Sequence, residues 1–141
     1  MTLETERIAI EGRWQTLWVD TGSPPAALTP VGYSKQDFTP TVGGNSVRLT
    51  INDGMAEARS IGSPGTNLVR NNGIITIQIY VPGGAGEATM RPLAETAQGI
   101  FRNVVFGGIR CRVPYVSGTT ENAPFLVWNI VAPFVRDELN G

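Results

Sequence analysis

The chain has 141 residues, a formal net charge of −1 and a charged fraction of 16%, against about 25% in typical soluble domains. This length predicts a single domain, residues 1–141, and the lack of a basic surplus argues against stable binding of DNA or RNA. The sequence has no histidine and a single cysteine, which excludes Ser-His-Asp and Cys-His catalysis, zinc sites that use histidine, and an internal disulfide.

The first predicted element is an amphipathic helix over roughly residues 3–18. Thr2 can cap this helix, and Glu4 and Glu6 face the positive end of its dipole. Its apolar face consists of Leu3, Ile10, Trp14, Leu17 and Trp18. Two tryptophans one turn apart could form a ligand platform, but core packing is the preferred interpretation.

A long connection without regular structure is predicted for residues 20–45, which are rich in Pro, Gly, Ser and Thr. Connections of this length inside a compact domain tend to be functional or held by a partner. We expect Tyr33 and Phe38 to anchor this segment on the body of the domain.

Alternating apolar residues at Val47, Leu49 and Ile51 predict a half-buried strand. Asp53-Gly54 is a hairpin signal, so a weak return strand is expected over residues 55–61. Residues 68–81 then form one long strand with a bulge or kink at residues 71–73. We expect the outer half of this strand, near Arg70, to project beyond the core as part of an arm.

The run PGGAG at residues 82–86 raises the possibility of a phosphate-binding loop. However, it lacks the Lys of a Walker loop and the third glycine of a dinucleotide-binding fingerprint, and Glu87 would repel an anion. The glycines are therefore interpreted as a tight reversal from strand to helix.

The second helix is predicted from near Thr89 or Met90 to near Arg102, because Pro92 favours a first turn. Its apolar positions are Leu93, Ala94, Ala97, Ile100 and Phe101. Next comes a strand with Ile109, Cys111, Val113 and Tyr115 on one face and Arg110 and Arg112 on the other. The closing run FLVWNIVAPFV is apolar on both faces, which predicts a central strand or one covered on both sides.

These elements predict an α+β fold with a mostly antiparallel five-stranded sheet, two helices packed on one face, long loops and a projecting β-hairpin arm. Cys111 is expected to be a buried apolar residue. One core is expected to contain Trp14, Leu17, Ile77, Ile79, Leu93, Ile100, Phe101, Val127 and Val131.

Enzymatic chemistry is not expected. The carboxylates are scattered except for Asp53 with Glu57 and Asp137 with Glu138, and both pairs are expected to be solvated surface. We therefore predict no catalytic residue, cofactor or metal. No run approaches the length of a transmembrane helix, and the first fourteen residues lack an apolar signal core. A protein of the reducing cytoplasm, or of a particle assembled there, is expected.

Arginine dominates the basic residues, since only Lys35 of the eleven is a lysine. Arginine is enriched and lysine depleted at protein interfaces. The low charged fraction likewise suggests that part of the surface is buried against partners. A loop-rich composition and the codon bias of a GC-rich genome would produce the same two features.

Several phrases resemble, in order and spacing, the tail terminator-like proteins of long-tailed bacteriophages and gene transfer agents. They are Tyr33 with Phe38-Thr39-Pro40, VRLT at residues 47–50, EAR at residues 57–59, GIITIQIYVPGGAG at residues 73–86, FGGIR at residues 106–110, and the closing strand over residues 125–136. The likeness spans nearly the whole chain. Pro92 departs from it, since an uninterrupted alanine-rich helix would be expected there.

The resemblance implies a structural virion protein at the head-proximal end of the tail, assembled in the bacterial cytoplasm. Such proteins form a hexameric ring on the last tail-tube ring, stop tube growth and meet the head connector, while DNA passes through the lumen. The expected partners are thus further copies of the chain, the major tail tube protein and the connector or stopper protein, with no membrane involved. The residues expected at the assembly interface are Tyr33, Phe38, Arg59, Arg70, Asn71 and Asn72.

Two alternatives remain open: a neck or head-completion protein of the same particle, and a small ligand-binding or enzymatic α+β domain with a concave pocket.

Overall fold

Two helices and a seven-stranded sheet make up the part of the chain that the computed structural model describes, residues 3–20, 31–33, 44–58, 67–122 and 125–140. Helix α1 spans Leu3–Trp14 and continues through a wider π-helical turn, Gln15–Asp20; helix α2 spans Glu87–Phe101 after a short 3₁₀ turn, Gly83–Ala85. The strands are β1 Val31–Gly32, β2 Ser46–Ala58, β3 Asn67–Pro82, β4 Val105–Phe106, β5 Ile109–Cys111, β6 Tyr115–Asn122 and β7 Phe125–Asn140.

The sheet order is β1-β2-β3-β7-β5-β4, and β6 also pairs with β7. Every pairing is antiparallel except that of β1 with β2. The predicted α+β class and mostly antiparallel sheet are therefore confirmed. β7 is central, as its apolar composition predicted, because β3 pairs along one edge and β5 and β6 share the other.

Both helices pack on one side of the sheet, which we call the first face. Trp14 stacks on Trp18, with ring centroids 4.5 Å apart, and on Phe101 of α2, at 6.1 Å. Below them lie residues that share cross-strand register, such as Leu49 with Ile77 and Ile77 with Ile130. Arg13 joins the two helices, since its Nε donates to the Ile100 carbonyl at 2.7 Å near the end of α2.

Val127 and Val131, which were predicted in this core, instead lie on the opposite, second face of the sheet. Successive strand residues alternate between faces, so these two valines share a side with Asn129 and not with Trp128 and Ile130. Val127 is nevertheless buried and Val131 half-buried. The other seven predicted core residues are in the core or, for Leu17, packed against it.

The predicted hairpin at Asp53-Gly54 is wrong, because β2 continues through these residues to Ala58. The register slips by one residue between Asp53 and Ala56, which places the bulge on β2 and leaves β3 regular against β7. A Cβ on Gly54 would lie 3.0 Å from the Asn72 carbonyl oxygen. The glycine therefore permits a close backbone approach at the bulge and does not form a turn.

The strand count is seven, not five, within the described ranges. The two strands expected around Asp53 merge into β2, and the strand expected after Gly108 divides into β5 and β6. Pro114, which lacks an N–H, lies in this break; Val113 and Tyr115 are consequently exposed, not buried with Ile109 and Cys111. β1 and β4 contain two residues each, too few to show a periodic pattern.

The helix boundaries also differ from expectation. α1 with its π-helical turn reaches Asp20, and its first residue, Leu3, is exposed. α2 begins at Glu87, which makes Pro92 its sixth residue and not part of a first turn. The position of Gly86, with φ of +68°, fixes this start, because a residue with a side chain would be strained there.

We predict that Gly73→Ala lowers the free energy of unfolding by about 1–3 kcal/mol, as overpacking of a core does. Its new Cβ would lie 2.3 Å from Cζ of Phe134, whose buried ring covers this glycine. Gly84→Ala is the matched control, because its Cβ meets nothing within 4 Å. Urea unfolding of the three proteins measures the effect, and equal stabilities would contradict the packing of Phe134 on Gly73.

Candidate functional site

The six residues predicted as an assembly interface do not form one cluster. Phe38 and Arg59 lie outside the described residues. Tyr33 follows β1, which pairs with the start of β2, whereas Arg70 pairs with Glu57 near the far end of β2. Nine residues of strand separate these two points, which corresponds to roughly 30 Å.

Tyr33 contacts the body of its own chain. Its hydroxyl donates to Oε1 of Gln15 at 2.8 Å, and its ring packs against the core. Its predicted role as an anchor of the long connection agrees with this position.

Arg70 makes its charge-assisted bonds within the chain. Its Nε and one terminal nitrogen donate to the two oxygens of Asp137 at 2.7 and 2.9 Å, a bidentate pair across β3 and β7. The carboxylate that binds Arg70 is therefore on the adjacent strand of the same chain.

Asn71 and Asn72 point to opposite faces. Asn71 is in register with Arg136 on the first face, and Asn72 with Val135 on the second. These residues belong to the outer part of the sheet, which we call the extension: residues 56–58, 67–72 and 135–140. The extension is three-stranded, because β7 accompanies β2 and β3, and it is therefore more than the expected hairpin.

Sequence reasoning missed a buried ionic cluster where α1 meets the extension. Arg136 Nε donates to Oε1 of Glu6 at 2.9 Å, and the two side chains are 3% and 2% exposed. The Asp53 carboxyl lies next to Glu6. The spacing of the residues could have predicted the burial of Glu6. Glu6 precedes Ile10, Trp14 and Trp18 at intervals of four and therefore lies on the buried face of the helix.

Burial raises the pKa of Glu6 from its ordinary 4.5 to about 7, and the neighbouring Asp53 adds to the rise while Arg136 opposes it. Glu6 therefore keeps its proton more readily than it would in water. The cluster joins three elements: α1, β2 and β7.

The second face of the sheet carries a different set of side chains. Arg48, Gln78 and Asn129 form a row across β2, β3 and β7. Arg48 Nε and Asn129 Oδ1 are buried and have no hydrogen-bond partner in the described ranges. Neither described helix covers this face, but the chain itself encloses these two atoms, so another molecule does not reach them.

The remainder of the second face is apolar in its centre. Ile74 and Tyr115 are 43% and 52% exposed, and Val131 and Pro133 lie between them. A surface cleft of about 340 Å³ adjoins this centre. Its lining includes Asn52, Ile74, Arg112, Pro133 and Val135.

The glycine segment behaves as a turn. Gly86 precedes α2 with a positive φ, and the exposed Glu87 lies at the start of the helix, where its charge would oppose an anion. No group of three or more metal-ligating side chains is present in the portion of the chain that is described. Within the same portion, no helix is long and apolar enough to cross a membrane.

We predict that Glu6 makes the stability depend on pH between about 4.5 and 7. A raised carboxyl pKa means that the folded state binds more protons than the unfolded state in this window, so the free energy of unfolding falls as the pH rises. Glu6→Gln should remove this pH dependence of the free energy of unfolding, while the Gln side chain still accepts a hydrogen bond from Arg136. Urea unfolding from pH 4.5 to 8 tests it.

Glu95→Gln, on the exposed side of α2, is the control and should keep the wild-type profile. If the stability difference between wild type and Glu6→Gln does not change with pH, the pKa of Glu6 is not raised in the folded state.

Cys111 is buried, as predicted, and burial raises the pKa of its thiol to about 11. The reactive thiolate is scarce at pH 8, so we predict that labelling of the native thiol is at least about a hundredfold slower than in urea. Cys111→Ala should preserve assembly. Fast labelling under native conditions would show that the thiol is accessible.

No protein-family model matches the sequence, and a search of curated proteins finds no match. Among solved structures, one chain of 20% identity has a TM-score of 0.71, and the match covers 96% of this chain and 96% of that chain. The name of that protein describes no activity, ligand or partner. At this identity the similarity shows the fold alone: a solved protein shares this α+β architecture over almost its full length.

Proposed function

We propose that this chain is a tail terminator of a phage-like particle. It caps the head-proximal end of the tail tube as a hexameric ring, stops tube polymerisation and provides the joint to the head connector. The extension projects from the subunit as an arm. DNA passes through the lumen during ejection without sequence-specific binding.

The sequence resemblance is the main support, because its phrases fall on the elements that build the sheet. They lie on β2, on β3 with its glycine turn, on the turn between β4 and β5, and on β7. A resemblance distributed over one continuous sheet reflects the whole fold and not a single local motif.

The second face of the sheet is the structural observation that supports this proposal. β7 is apolar on both sides, but the helices α1 and α2 use only the first face. Exposed apolar side chains that lie together, such as Ile74 and Tyr115, are typical of a surface that another subunit covers. A subunit of a ring on a tube needs such surfaces, because it contacts its own copies sideways and tube subunits axially.

We also propose that the protein is not an enzyme. It has no histidine, its single thiol is buried, and its buried carboxyl Glu6 is held by Arg136 beneath α1. The cleft of about 340 Å³ is the observation in favour of the alternative, a ligand-binding domain. A neck or head-completion protein of the same particle remains the other alternative.

The oligomeric state and the effect on tail tubes distinguish the terminator from the two alternatives. We predict that the purified chain is a hexamer by native mass spectrometry, or becomes one when added to tail tubes, and that electron microscopy shows rings at one tube end. Without the protein, tubes should become longer than normal. A monomer or dimer that leaves tube length unchanged would contradict the terminator. Rings that bind heads and ignore tubes would indicate the neck protein.

A further inference from the structure

Three arginines surround the apolar centre of the second face. Arg48 lies at one end of this surface, and Arg110 lies at the other end in register with Val135. Arg112 lines the cleft beside Ile74. We call Arg48, Arg110 and Arg112 with the apolar centre between them the arginine face.

None of these guanidinium groups has a carboxylate partner among the described residues. Arg110 and Arg112 are exposed, and Arg48 Nε is buried without an acceptor. Between the rows of Arg48 and Arg110, the second-face positions of the described strands contain no acidic residue, although Asp53, which alternation places on the first face, also lines the cleft. The arginine face therefore holds a charge of +3 around an apolar centre, an arrangement typical of protein interfaces.

The remainder of the chain has the opposite charge. The sequence contains eleven basic and twelve acidic residues, so eight basic and twelve acidic residues remain outside the three arginines. Their net charge is −4. A second copy of the chain therefore carries net negative charge outside its own arginine face.

We propose that the arginine face of one copy packs against a different, acidic surface of the next copy. This inference rests on the proposed ring and identifies one side of its subunit contact. Carboxylates of the next copy would bind the three guanidinium groups, and an apolar side chain would enter the cleft.

Charge also determines the symmetry of the contact. Two arginine faces placed against each other would bring six arginines together around an apolar centre that excludes water. This arrangement is strongly unfavourable, because like charges at an interface repel each other. A two-fold contact through this face is thereby disfavoured. A contact between unlike surfaces is heterologous, and such contacts close into rings when the rotation allows it.

The test reverses charge at the exposed members of the face. The variant Arg110→Glu/Arg112→Glu should weaken self-association of the full chain at least about tenfold, measured by native mass spectrometry and sedimentation. Arg102→Glu is the matched control: it makes the same change at an exposed arginine directly after α2, and it should associate like wild type. Unchanged circular dichroism verifies the fold of each variant.

A photo-crosslinking residue at Tyr115, on the exposed centre, identifies what covers the face. We expect crosslinks to acidic segments outside the arginine face of a second copy, and weaker association at high salt. Crosslinks between two arginine faces would overturn the inference in favour of a two-fold contact. Association that survives the charge reversal, or a wild type that stays monomeric when concentrated, would also overturn it.

Failure of this inference is distinguishable from failure of the proposed function. If the variant Arg110→Glu/Arg112→Glu still forms hexamers that cap tubes, the proposed contact is wrong and the proposed terminator function is unaffected. Oligomers that depend on the arginine face but do not alter tube length would support the contact and contradict the function.

Discussion

The pairing of β3 with β7 is the interaction on which the rest of the structure depends. It runs from Asn67 opposite Asn140 to Pro82 opposite Phe125 without a break in register. A strand paired on both edges must place alternate residues on two faces, so this one ladder determines which side chains meet the helices and which face outward. It also carries the extension, because both strands continue together beyond the core.

The helices pack on only one of the two faces of β7, the first face. Trp14, Trp18 and Phe101 form a stacked aromatic layer on the first face, while the second face keeps Val131 and Pro133 half-buried. This asymmetry is the reason why we propose a partner on the second face, because exposed apolar area is unfavourable in water.

The ionic cluster at Glu6 shows how the extension is joined to the body. Arg136 belongs to the outer part of β7, and its guanidinium is buried against α1 by Glu6. Removing one member of a buried pair leaves an uncompensated charge, which makes such pairs effective in fixing one arrangement of elements even when they add little stability. The first helix therefore positions the extension as well as closing the core.

The sequence by itself determined the fold class, the central position of the closing strand, the burial of Cys111 and most of the core, because these follow from apolar periodicity along single elements. Only the tertiary structure decided the rest. Asp53-Gly54 has the local composition of a turn, yet pairing with β3 carries the chain straight through, since the glycine permits close approach to Asn72. Likewise, Val127 and Val131 are as apolar as their neighbours, so their composition does not show which face they occupy. Arg70 binds Asp137, which is 67 positions away in the sequence. Which face a residue occupies, and which distant charge it meets, depends on strand register, and register is a property of the assembled sheet.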